Sequence, residues 1–272
     1  MAVAKAAPLR CAWGRLGRPQ PLTFPLHYAF HKPAGFSSQP NQPAQGAVSV
    51  WDLFEQALGN LGGPPAGASR RRLSLIGRLD LGTSGLVIFS NYRPMHIALC
   101  SPGAMLEKRY RATCTGCVCD GDERLSSLRA PLEMVVRSPK SGATDVLTRP
   151  AGVRVVQRWR DPVPPGAPPS VVDLTEIEVS ISEGRNRQIR RLFSRAGLGL
   201  RGLHRMAIGP ILLGELPPGH ARALSPPEEL AVFRAVADDC GVSAAVATAA
   251  ALHGVHWRAY PTAPRPVAAA AA

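Results

Sequence analysis

The nine residues Gly77-Arg78-Leu79-Asp80-Leu81-Gly82-Thr83-Ser84-Gly85 constrain this chain more than any other segment. They separate two apolar, β-rich runs, Leu73 to Leu79 and Leu86 to Ser90, and carry one carboxylate. A carboxylate presented between buried strands loses hydration, which is costly unless it is paired. The glycines permit tight turning and close approach of a second backbone. Thr83 and Ser84 can fix the turn by bonding to the backbone. The loop matches neither nucleotide-phosphate motif, since no Lys-Ser/Thr follows and its glycines do not form G-x-G-x-x-G. Taken alone, Asp80 reads equally as a turn cap or as a functional carboxylate.

A second constellation is Glu183-Gly184-Arg185-Asn186-Arg187-Gln188-Ile189-Arg190-Arg191. It follows a strand pattern formed by Leu174, Ile177, Val179 and Ile181. Ile189, Leu192, Phe193 and Ala196 then recur at the helix period, and Gly197 is placed to stop the helix. A helix starting at Glu183-Gly184 would offer free N–H groups and a positive dipole end to a phosphate. Arg187, Arg191 and Arg195 form one stripe. Arg190 lies off it, nearer the apolar face, where an arginine wants a carboxylate partner. Asp80 is the candidate. From Arg185 to Arg205 there are seven arginines and no acidic residue. With a net charge of +13 over 272 residues and a pI near 10.4, the chain calls for a polyanionic partner, nucleic acid first. Tyr110, set among cations in Glu107-Lys108-Arg109-Tyr110-Arg111, is a further candidate, able to stack on a base or hydrogen-bond through its hydroxyl.

The rest of the chain supplies the frame. Leu26 to His31 predicts a strand ended by the Lys32-Pro33-Ala34-Gly35 turn. Ser49 with Asp52 caps a helix over Val50 to Leu58. Residues 61–72 predict a Gly/Pro/Arg-rich loop. Asn91 is read as the cap of a helix over Pro94 to Leu99, and Arg109 to Thr115 as a strand. Arg160 to Ser170 holds five prolines and predicts a loop or insertion. Ser225 with Glu228, and Pro226 at the first helical position, begin a helix running to Ala237. Irregular alternation of strands and helices favours an α+β fold, with a mixed or antiparallel sheet, over a doubly wound one. Cys114, Cys117 and Cys119 lack a second ligand cluster and read as thiols of a strand and its turn, so no metal is expected. No apolar run reaches transmembrane length. The first acidic residue is Asp52. Residues 1–24 form a basic, acid-free leader; the expected location is cytoplasmic, or organellar (plastid or mitochondrion) if this leader is a transit peptide. Residues 25–238 form the main domain, and residues 239–272 an Ala/Pro-rich tail.

Three motifs now stand in order: Gly-Arg-Leu-Asp-x-x-Thr-Ser-Gly-Leu, Lys-x-Tyr, and Glu-Gly-Arg-Asn-Arg-Gln-Ile-Arg-Arg. With Lys32-Pro33-x-Gly35 before them, and Leu203-x-Arg205-x-x-x-Gly209-Pro210-x-x-Leu213 and Gly219-x-x-Arg222-x-Leu224 after, the chain resembles the RsuA/RluB/RluE/RluF class of pseudouridine synthases from about Leu26 to Leu230. The resemblance implies a central mixed or antiparallel sheet with flanking helices and a central cleft. It implies an isomerase acting on uridine in RNA, with ribosomal RNA the foremost target, working as a monomer without cofactor, metal or membrane. Asp80 would match the catalytic aspartate, Tyr110 the base-stacking tyrosine, Arg190 the basic partner of the aspartate, and Arg78 the arginine near the flipped nucleotide. Lys32, Arg185, Asn186, Arg187, Gln188 and Arg191 are the expected RNA contacts. The second reading is a catalytically silent RNA-binding or ribosome-assembly protein on the same fold. The sequence departs from the class at Leu81-Gly82, where a polar or charged residue is common. The small N-terminal RNA-binding domain of many members is expected to be missing, since only 25 residues precede Leu26.

Overall fold

The computed structural model describes residues 26–39, 48–61, 73–100, 105–138, 142–162 and 171–237. The basic leader, the 62–72 stretch, most of the proline-rich segment and the tail lie outside these residues.

The described chain is an α+β fold around one nine-stranded mixed sheet. In chain order its elements are β1 (His27–Lys32), α1 (Val50–Asn60), β2 (Ser74–Ile76), β3 (Ser84–Ser90), α2 (Arg93–Cys100), β4 (Lys108–Thr115), α3 (Glu123–Arg129), β5 (Glu133–Ser138), β6 (Gly142–Leu147), β7 (Gly152–Pro162), β8 (Val171–Ile181), α4 (Gln188–Arg195), β9 (Leu200–Ile208), β10 (Ile211–Leu212), β11 (Ala221–Ala223) and α5 (Pro226–Ala237). The sheet order is β11-β1-β3-β9-β4-β8-β7, with β2 on β3 and β10 on β9. Strands β5 and β6 form a separate hairpin.

Period-two alternation divides two apolar cores between the sheet faces. Phe30, Val87 and Phe89 pack with α1, α3 and α4 on one side. Ala29, Leu86 and Ile88 pack with α2 and α5 on the other. The Phe54 and Phe89 rings stack 3.6 Å apart at 4°, fixing α1 over β3.

Every pairing in the large sheet is antiparallel except β3 with β9, which meet only at Ser84–His204 and Gly85–Arg205. The sheet is therefore weakly stitched at this seam, and the Asp80 loop emerges there. Gly85 is required: at φ +109°, a Cβ would fall 2.2 Å from the Arg205 carbonyl oxygen.

Local signals explain most element ends. Ser49 Oγ accepts the Trp51 N–H at 3.2 Å to open α1. Ser225 N–H and Oγ both donate to Glu228 Oε2 at 2.9 Å to open α5. At the end of α4, Gly197 adopts φ +68°, while its N–H donates to Ser194 O and that of Leu198 to Phe193 O, a Schellman closure.

Three local expectations are corrected. Arg160 to Pro162 belong to β7 rather than a loop, pairing with Val171 to Asp173 of β8. A proline is tolerated there because β7 is an edge strand ending at that residue. Thr175 is buried in β8 along with Ile177 and Val179, and its hydroxyl accepts from Val118 N–H and donates to Gly116 O. Helix α2 begins at Arg93, and Asn91 Oδ1 accepts the Leu26 N–H at 2.7 Å, tying the entry of β1 to the end of β3. Finally, α4 begins at Gln188, five residues after Glu183.

Candidate active site

The seam between β3 and β9 opens into a cleft of about 1380 Å³. Its walls are the 77–83 loop, the start of β4, the β8–α4 connection and the β5–β6 hairpin. Asp80, Tyr110, Arg190, Arg78, Arg185, Asn186, Arg187 and Arg191 all line it.

The Asp80 loop is held from beneath. Thr83 N–H donates to Asp80 O at 3.0 Å, closing the turn, and Gly35 N–H donates to Leu81 O at 2.8 Å. The Lys32 ammonium donates to Thr83 O at 2.7 Å, Pro33 O at 3.0 Å, and Asp80 O and Leu81 O at 3.3 Å each. Burial pushes this ammonium down to about 8, against the attraction of Asp80, with Arg205 adding to the depression. Lys32 is 0% exposed. This corrects its place among the expected RNA contacts: it braces the loop from inside.

The Asp80 carboxylate meets Arg190 across the cleft, Oδ2 to Nε at 3.3 Å. Arg190 Nη2 also donates to Gly82 O and Thr83 Oγ1, both at 3.0 Å. One guanidinium thus pairs with the carboxylate and grips two further groups of its loop. The pair is only partly covered, 32% exposed at Asp80 and 22% at Arg190, so ligand can reach it. The carboxylate partner sought by the off-stripe arginine is the one the sequence indicated.

Tyr110 is 7% exposed and projects from β4 at a β-bulge between Arg109 and Tyr110, directly opposite Arg205 of β9. The extra residue of the bulge is Met206 on β9, and Tyr110 lines the cleft.

The arginine segment is built differently from expectation. Residues 183–187 form a connection held by Glu183. This carboxylate accepts Arg149 N–H at 2.7 Å, Gln188 Nε2 at 3.0 Å and Arg185 Nε at 2.9 Å. Gln188 Oε1 accepts the Arg185 N–H at 3.3 Å. Gln188, 2% exposed, is therefore a brace and not an RNA contact. Arg187 precedes the helix in the left-handed region, φ +52°. That geometry costs a non-glycine residue roughly 1 kcal/mol or more and persists because the surrounding bonds impose it. Arg195 leaves the stripe altogether. It donates to Ser127 O, to Ala130 O at 2.7 Å and to Pro131 O at 2.5 Å, closing the end of α3.

Lys108, Glu183 and Arg205 also line the cleft but were not singled out as site residues in the sequence. Each lies inside a motif, yet residue type alone did not separate them from strand and turn positions. Among the described residues, no three His, Cys, Asp or Glu side chains gather as a metal ion would need. No helix of these residues is long and apolar enough to cross a membrane.

Comparison with known proteins places the chain in a family. The family model described as RNA pseudouridylate synthase matches residues 27–195. An uncharacterised RNA pseudouridine synthase of Mycobacterium tuberculosis is 31% identical over 215 residues, covering 78% of this chain and 70% of its own. The ribosomal large subunit pseudouridine synthase E of Xanthomonas campestris pv. campestris is 34% identical over 182 residues, 63% of this chain and 87% of that one. A crystal structure of a pseudouridylate synthase aligns with TM-score 0.55 at 22% identity, over 77% of this chain and 74% of its own, a likeness of fold.

Proposed function

The chain belongs to the RNA pseudouridylate synthase family, isomerases that convert uridine to pseudouridine in RNA; on that premise we propose that it modifies a specific uridine of ribosomal RNA, with Asp80 as the catalytic carboxylate. One observation carries the assignment of the site. Asp80 and Arg190 pair at 3.3 Å in a cleft that Tyr110 also lines.

The reaction breaks the N1–C1′ glycosidic bond, turns the uracil, and joins C5 to C1′. Asp80, ionised, either attacks C1′ or takes the 2′ proton to give a glycal. Arg190 supplies the compensating charge and holds the carboxylate in one orientation. The target base must first leave its stack, at a cost of a few kcal/mol. Stacking on Tyr110 and phosphate contacts from Arg78, Arg185, Arg187 and Arg191 offset that cost, with Asn186 adding a neutral contact on the rim. Support for a ribosomal target comes from the Xanthomonas relative, which is named for the large ribosomal subunit. We assign the catalytic unit to residues 25–238, acting as a monomer.

The test is to express the wild type and Asp80→Asn in cells lacking the enzyme, then map pseudouridine across ribosomal and transfer RNA. Marks restored by the wild type and absent with Asp80→Asn are expected. If Asp80→Asn restores every mark, the catalytic assignment fails.

A further inference from the structure

Both routes to pseudouridine share an event that the Asp80–Arg190 pair does not serve. When N1–C1′ breaks, the bonding pair leaves with the ring. In one route Asp80 forms an ester bond to C1′, and in the other it takes the 2′ proton. Either way the detached uracil is an anion, its charge spread over the ring nitrogens and the two carbonyl oxygens. After the ring turns, C5 bonds to C1′; Asp80 is freed as a carboxylate, by cleavage of its ester in the first route and by returning its proton to C2′ in the second; the C5 proton then leaves and N1 gains a proton. Arg190 is already engaged by Asp80, Gly82 and Thr83.

Lys108 and Arg205 line the same cleft. Arg205 is 4% exposed, and its Nε donates to Leu86 O at 2.7 Å. Its buried Nη2 has no hydrogen-bond partner among the described residues. A buried guanidinium N–H without an acceptor is costly, which points to an acceptor arriving during function. Lys108 Nζ donates to Leu106 O at 2.9 Å, and neither cation is paired with a carboxylate among the described residues. Burial and then Arg205 depress the Lys108 ammonium, against the weaker attraction of Cys100 and Glu183, so the two cations feel each other. Gly184 lies beside Lys108 and has no side chain to fill the space there. Arg205 stands directly across from Tyr110 in the β4–β9 register, so a base stacked on the phenol lies beside this guanidinium.

We propose that Lys108 and Arg205 form an oxyanion subsite in the cleft that stabilises the departing uracil anion. The inference rests on the reading of the site given above. The rim arginines suit phosphates, whereas buried Arg205 and half-buried Lys108 suit charge that develops only as the bond breaks. Preorganised donors in a water-poor site act most strongly on such charge.

The test uses Lys108→Gln, Lys108→Arg and Arg205→Lys in the full chain, with an RNA fragment carrying the mapped uridine. Single-turnover rates are taken at saturating RNA. Affinity and its salt dependence are measured for single-stranded oligouridylate in an Asp80→Asn background. Lys108→Gln is expected to slow the single turnover about 10²–10³-fold, with affinity and salt slope unchanged. Lys108→Arg should recover most of the rate, and Arg205→Lys should retain part of it. Folding is read from the thermal transition; should Lys108→Gln lose it, Lys108→Met takes its place. An unchanged turnover in Lys108→Gln overturns the proposal while leaving the Asp80 reading intact. So does a salt slope reduced by about 0.7 with turnover intact, which would mark a phosphate contact. A wild type that makes no pseudouridine in this RNA would overturn both readings.

Discussion

Lys32 has no exposed surface, yet its ammonium serves four carbonyl oxygens of the Asp80 loop and its own turn. Removing it leaves buried acceptors unsatisfied, which costs roughly 1–3 kcal/mol. Lys32→Met keeps most of the stem's volume and removes only the donors. It is expected to lower the melting temperature and the turnover together, while RNA affinity keeps its salt slope; a reduced slope would return Lys32 to the RNA contacts. At this scale the legible residues were those whose chemistry demands a type. A carboxylate, a phenol and a guanidinium in family order gave Asp80, Tyr110 and Arg190, and the pairing of Arg190 with Asp80 followed from its place near the apolar face. Burial was not legible. Lys32 and Gln188 carry groups that suit RNA, and nothing local in the sequence reveals that carbonyls and Glu183 claim them.

Helix α4 shows the same limit at the next scale. Its apolar period and glycine stop were plain, because both are local. The stripe of Arg187, Arg191 and Arg195 was read as one surface, yet Arg195 turns to the carbonyls at the end of α3. Arg187→Ala and Arg191→Ala should each weaken RNA binding and reduce its salt slope by about 0.7, the single-strand value for one phosphate. Arg195→Ala should leave the slope alone and lower stability by roughly 1 kcal/mol for each effective hydrogen bond lost. Equal slopes for all three variants would restore the stripe. The β7–β8 hairpin was missed for a related reason. Proline argues against a central strand, but β7 lies on the sheet edge, and edge position is set by non-local order.

Across the whole molecule, the α+β class was legible from alternation, whereas the two-residue parallel junction of β3 with β9 was not, since it joins segments more than a hundred residues apart. One of the two apolar cores that flank this sheet is closed partly by α5, and there the molecule stores a proton. Glu229 Oε2 faces His27 Nε2 of β1 at 3.7 Å. Burial, and then the neighbouring Glu228, raise the Glu229 carboxyl to about 8 from an ordinary value of 4.5. Burial would raise Glu228 also, but Arg222 and Ser225 hold it below its usual range, so Glu228 stays charged beside Glu229. Between the two values for Glu229, the folded chain keeps a proton that the unfolded chain has released. Its contribution to stability is therefore fully present below pH 4.5 and lost as pH rises through about 8. This opposes the usual acid sensitivity of a chain with net charge +13, which gains further positive charge as its carboxylates protonate. Glu229→Gln keeps the shape and removes the titration. Its melting temperature should match the wild type near pH 4.5 and rise above it with increasing pH, by about 2–4 °C for each kcal/mol of charge burial avoided. A difference between the two proteins that stays constant from pH 4.5 to 8.5 would show that the stored proton lies elsewhere.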